Sequence, residues 1–267
     1  MTTTLSASFV LCQRELVRFV RQRNRVIGAL LTPIIFWLLL GGGVGKTFTD
    51  PAATSATAAS GYMSYFFPGT VLMIVLFTAI FSTISVIEDR REGFLQGVLV
   101  APVGRVAIVG GKVLGGAVLA TAQALLVVLL GWATGIASLT LASLLAVTIL
   151  LFVIGIGLTA LSLALAWLMT STQGFHVIMN LLFMPMWFLS GALFPVRDDM
   201  PRVIKWLMLV NPLTYALASV RKVLWRNDVE SLPGSLSVWF SVTLVATAGA
   251  MALAVWVAKG RSARDAI

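Results

Sequence analysis

Between Leu141 and Leu168 the chain runs without a single charged side chain, and nothing else in the sequence limits its fold so strongly. Hydrocarbon offers no partner to a backbone N–H or C=O, so an apolar segment of this length must satisfy its own peptide groups as a helix. Comparable segments run from about Val26 to Val44, with Gly41-Gly42-Gly43 expected to loosen its end, and from Tyr62 to Ile87, Ala107 to Ile136 and Leu236 to Ala258. A proline-broken stretch from Phe175 to Phe194 makes six. With 59% apolar and 11% charged residues the chain has too little polar sequence to cover a water-facing surface. The expected fold is an all-α polytopic membrane protein of six transmembrane helices. Residues 1–25 are expected to form an amphipathic cytoplasmic interfacial helix, 26–258 one membrane domain, and 259–267 a cytoplasmic tail.

The fifth span and the segment after it are the least regular part. Pro185 removes a backbone donor and should kink the helix, and Asn180 puts an amide where lipid has no partner for it, so this helix should face protein or a cavity. After Pro195 come a partly charged segment to Pro201, an amphipathic run Val203 to Val210, and then Asn211-Pro212-Leu213-Thr214-Tyr215 opening a further helix towards Arg221. Backbone so irregular at membrane depth is tolerated when it re-enters from one side and is buried in protein. Residues 195–226 are therefore expected to be a re-entrant helical hairpin between spans five and six.

At the other end of the chain, Leu5, Phe9, Cys12, Leu16 and Val20 form one helical stripe and Arg14, Arg18, Arg21 and Arg25 another. Such a helix should lie in the headgroup plane, with these arginines interfacial. A cleavable signal peptide fits less well, because the basic segment is too amphipathic and the following apolar one too long. The net charge of +9 sits between the apolar runs, which reads as positive-inside topology and lipid contact rather than nucleic-acid binding. With the N-terminus inside, twelve of the nineteen Lys and Arg fall on inner segments. Span two stops at Glu88-Asp89-Arg90-Arg91-Glu92-Gly93, after which Phe94, Leu95, Val98 and Leu99 make one apolar face of a short helix ended by Pro102. That face either rests on lipid or inserts into a soluble partner. Gly111 and Gly115 have the spacing that permits close helix packing, and Lys112 can snorkel to the surface as an anchor.

Several chemistries are excluded. Gly45-Lys46-Thr47 looks like the end of a phosphate-binding loop, but the glycine required five residues earlier is Leu40 and the segment follows a membrane span. The apolar cores carry no Asp or Glu, as a proton-coupled transporter would need. His176 is the only histidine and Cys12 the only cysteine, so a multi-histidine metal site and an intrachain disulfide are both ruled out, and no enzyme activity or cofactor is expected. A transport subunit driven from outside and a passive pore or membrane scaffold remain.

The series Gln173, Phe175, Asn180, Leu181-Leu182, Pro185, Phe188-Leu189-Ser190-Gly191, Phe194-Pro195, Pro201, Asn211 to Tyr215 and Arg221 resembles the signature of the membrane subunit of type-2 ATP-binding-cassette (ABC) exporters, and the likeness runs over essentially the whole chain. Residues 88–102 resemble that family's cytoplasmic coupling helix, with Phe94 where a small Thr is common and Gly97 where a helix former is usual. The resemblance implies a half-transporter working with a second copy of itself and two copies of a separate ATPase, which would hold the ATP and Mg, in a bacterial-type plasma (inner) membrane. It implies ATPase coupling through Glu88, Arg90, Arg91, Gly93, Phe94, Leu95, Val98, Leu99 and Pro102. It implies a substrate pathway or gate at Asn180, Pro185, Ser190, Asn211, Pro212 and Tyr215. The eight tryptophans are spread over most spans rather than set in a sugar-stacking row, which favours a hydrophobic or amphipathic substrate such as a drug-like molecule, a lipid or a lipid-linked glycan.

Overall fold

A computed structural model of the protein describes residues 2–47, 55–94, 97, 103–196, 200–225, 232 and 234–262. In chain order the helices are α1 (Thr2–Arg21), α2 (Arg23–Thr47), α3 (Ser55–Arg91), α4 (Arg105–Ala133), α5 (Leu141–Leu168), α6 (Thr172–Trp187) with a π-helical turn Phe188–Ala192, α7 (Arg202–Val210), α8 (Pro212–Leu224) and α9 (Leu236–Ser262). Among the described residues six helices are long and apolar enough to cross a membrane: α2, α3, α4, α5, α6 with its π turn, and α9. The chain is an all-α polytopic membrane protein, and α7 and α8 form a helical pair bent by 74° between spans five and six.

The bundle is built around α3. Its middle turns, including Leu72, Met73, Ile74 and Leu76, are fully enclosed by α2, α4, α5 and α6, whereas α2 and α9 leave most of their length open. Local chemistry sets several boundaries. Thr140 and Ser143 form a reciprocal capping box at the start of α5, and the Ser171 hydroxyl accepts from Gly174 N at 3.0 Å to start α6. Asn211 Oδ1 accepts from Leu213 N at 3.0 Å while Pro212 occupies the first turn of α8, where a missing N–H costs nothing.

Two expected breaks lie elsewhere. Gly41, Gly42 and Gly43 do not loosen the end of span one: α2 continues through them to Thr47. A Cβ at Gly41 would meet Met63 Cγ at 2.8 Å, and Trp37 Nε1 donates to Met63 O at 2.9 Å, so here a glycine brings α2 close to α3. Pro185 stays inside α6, and the chain turns out of the helix at Gly191, whose φ of +87° is strained for any residue with a Cβ. The first helix also ends earlier than residue 25, with Gln22 separating α1 from α2.

Candidate functional site: two polar junctions in an apolar bundle

The first junction joins α1, α3 and α4. α1 packs lengthwise along α4 because Gly111 and Gly115 present no side chain: a Cβ at Gly111 would lie 2.6 Å from the Ser8 carbonyl oxygen, and one at Gly115 2.9 Å from Glu15 Cβ. Ser8 Oγ donates to Ala107 O at 3.1 Å beside them. Leu11, Glu15 and Phe19, four residues apart, form the buried face of α1, which leaves Leu5, Phe9 and Val20 exposed. Burying Glu15 therefore needs a cation, and Lys112 supplies it.

Lys112 does not reach for the surface. It is buried, and its Nζ donates to Glu15 Oε1 at 2.6 Å and to Asp89 Oδ2 at 2.8 Å. Asp89 has no exposure at all; it also accepts from Arg14 Nη2 at 2.6 Å and from Arg18. Arg18 Nη2 donates to Glu88 Oε2 at 3.0 Å, and Arg25 pairs with Glu88 as well. Three of the four arginines expected to be interfacial, Arg14, Arg18 and Arg25, thus face acids on α3, while Arg21 is exposed. An ion removed from water costs several kcal/mol, which mutual attraction offsets only when the geometry is good and the remaining lone pairs are filled. Here both buried acids are contacted by more than one cation. The Cys12 thiol is pushed up by burial, and the neighbouring Glu15 carboxylate adds to the effect.

The same turn of α3 reaches towards residues 88–102. Arg14 places its guanidinium 3.8 Å from the centroid of the Phe94 ring, a cation–π contact. Gly93, at φ +76°, lets the chain turn between α3 and Phe94. On the far side Arg90 donates to Trp167 O at 2.8 Å and Met169 O at 3.1 Å, and Arg91 Nε to Thr170 O at 3.2 Å. These are carbonyls at the end of α5, which lack intrahelical donors and attract cations. Leu95, Val98, Leu99 and Pro102, the rest of the expected coupling face, lie outside the described residues.

The second junction closes the bent pair at the opposite end of α3. Tyr65 Oη donates to Gly191 O at 2.7 Å, and the buried Arg221 donates to the same oxygen at 2.8 Å, with its guanidinium 4.1 Å from the Tyr65 ring. Asn211 Nδ2 donates to Met186 O at 2.6 Å, Tyr215 Oη to Leu209 O at 2.8 Å, and the buried Ser190 Oγ to Trp187 O at 2.7 Å. These side chains satisfy carbonyls that the π turn and the bend would otherwise leave without donors. Ser190, Asn211, Pro212 and Tyr215 are thus gathered around one turn. Asn180 and Pro185 stand apart on the exposed face of α6, in line with Gln173, His176 and Leu181.

Sequence reasoning missed Glu15, Asp89 and Lys112 as one group, and Tyr65 with Arg221. One signal was present: Glu15 is the only acid among the first 25 residues and shares a helical stripe with Leu11 and Phe19.

The sequence model of the ABC-2 type transporter family matches residues 7–225. A putative transport permease ycf38 from Cyanophora paradoxa is 30% identical over 214 residues, covering 80% of this chain and 72% of the relative. Its counterpart from Porphyra purpurea is 26% identical over 222 residues, covering 82% and 74%. A probable multidrug ABC transporter permease, YbhR of Escherichia coli K12, is 27% identical over 197 residues, covering 73% of this chain and 52% of the relative.

Proposed function

From the premise that this chain belongs to the ABC-2 type transporter family and is a multi-pass membrane permease subunit of an ABC transporter, we propose that it forms the transmembrane half of an ATP-driven exporter. It moves a hydrophobic or amphipathic substrate outward. A separate ABC ATPase, the partner the family implies, binds ATP and Mg and drives the cycle. Gly45-Lys46-Thr47 closes helix α2 rather than opening one, which supports leaving nucleotide binding to that partner.

The observation that carries the reading is the ionic junction. The last turn of α3 is tied through Asp89 to α1 and α4 and through Arg90 to the end of α5, so a force applied just beyond Gly93 reaches four helices. An ATPase seated on residues 88–102 would use this route. The working assembly holds two permeases and two ATPases in a plasma membrane, with both termini cytoplasmic, as the distribution of basic residues supports. Gln173, His176 and Asn180 on the open face of α6 support a second copy there, since lipid would leave their polar groups without partners.

Co-purification of the ATPase tests the proposal. Leu95→Asp or Leu99→Asp would force a carboxylate into an apolar contact, so the permease should still express while the ATPase and export are lost together. Wild-type retention of the ATPase with export intact would overturn the reading and favour a passive pore or scaffold.

A further inference from the structure

The arginines around the α1–α2 joint divide into two groups. Arg14, Arg18 and Arg25 are paired with Glu15, Glu88 or Asp89. Arg21 and Arg23 are exposed, and among the described residues neither forms an ion pair. Arg23 stands at the edge of a groove of about 350 Å³ between the end of α1, the start of α2 and the middle of α4. Its walls are apolar, formed chiefly by Phe19, Val26, Ile27, Leu119 and Leu126. Ala122 adds only a methyl group to the wall, which helps to keep the groove open.

We infer that this groove is a binding site for one anionic phospholipid, with an acyl chain along the apolar walls and the phosphate on Arg23. The chemistry of the groove and its rim selects that ligand. A soluble anion would gain nothing from the groove, and a neutral hydrocarbon nothing from the uncompensated guanidinium at its edge. A lipid carrying net negative charge uses both, and basic pockets between membrane helices are suited to such headgroups. A zwitterionic lipid presents the same tails, but its own ammonium offsets the attraction. The bound lipid would bridge the end of α1 to the start of α2, beside the ionic junction. This site is independent of any ATPase contact at residues 88–102.

Native mass spectrometry of the full chain in mild detergent tests the inference, using phosphatidylglycerol and phosphatidylcholine with identical acyl chains. One phosphatidylglycerol per chain should be retained in preference to phosphatidylcholine. Retention should fall about fivefold for Arg23→Gln. Ala122→Trp, which fills the groove and changes no charge, should abolish it. Arg202→Gln, an exposed arginine on α7, should leave it unchanged. Equal retention of the two lipids, full retention by Arg23→Gln, or full retention by Ala122→Trp would each overturn the site. Full retention by Ala122→Trp would mean that surface charge alone holds the lipid.

Discussion

Replacing Lys112 by Met tests the ionic junction at its centre. The side chain keeps a similar length and fits the same apolar surroundings, but the ammonium 2.6 Å from Glu15 and 2.8 Å from Asp89 is gone. Two buried carboxylates then share a site with only the arginines of α1 to offset them. Breaking a buried ion pair by removing one partner costs about 3–5 kcal/mol. Because Arg14 still contacts both acids, the low end applies, about 3 kcal/mol, or roughly a 150-fold fall in the folded-to-unfolded ratio. The assay is unfolding in mixed micelles titrated with a denaturing detergent, followed by loss of helical signal. A double-variant cycle sharpens it: Glu15→Gln removes one acid, and with Lys112→Met the combined loss should fall short of the sum of the single losses by about 1–2 kcal/mol. A wild-type midpoint for Lys112→Met, or strict additivity in the cycle, would refute the claim that these groups stabilise α1 against α4 as a unit.

The Cys12 thiol, raised by burial and by Glu15, should react with a maleimide at pH 7 more slowly than an exposed cysteine placed at Val20, and Glu15→Gln should narrow the gap; equal rates would count against that environment. Gly191→Ala forces a Cβ into a left-handed backbone and should cost about 1–2 kcal/mol, measured by the same unfolding titration. Arg221→Met takes a donor from Gly191 O and should cost about 1–3 kcal/mol in the same titration. Asn180→Cys should form an oxidative cross-link between two copies in the membrane, whereas a cysteine at Val245, on the open face of α9, should not.

How much could be read from the sequence depended on how local each cause was. Span four matches helix α5 at both ends because its signals are adjacent in the chain: uninterrupted apolar residues and a Thr140–Ser143 cap. The amphipathic run Val203–Val210 and the Asn211-Pro212 start were legible for the same reason, being α7 and the cap of α8. Glycine and proline were misleading where their purpose was tertiary. Gly41 makes room for Met63, and Pro185 leaves its helix intact while Gly191 makes the turn. The ionic junction was beyond reach because Glu15 and Lys112 are 97 positions apart and each alone looks like an ordinary interfacial charge. Arg14 and Arg18 do share a helical stripe, but a stripe does not say whether phosphate or carboxylate will meet it.

The two junctions sit at opposite ends of one stiff rod. From Tyr65 to Asp89, α3 rises about 36 Å at 1.5 Å per residue, and the helix continues through Pro68, close to its Tyr65 end. A rod of that length pivoting at Asp89 is a lever, and a tilt of about 5° would carry Tyr65 sideways by about 3 Å. The hydrogen bond from Tyr65 to Gly191 is 2.7 Å long, so a displacement of that size would break it. Distance measurements between spin labels on α3 and α8, with and without the ATPase partner turning over, would read such a swing directly. A rotation too small to notice at one end of the rod is large enough to unlatch the bent pair at the other.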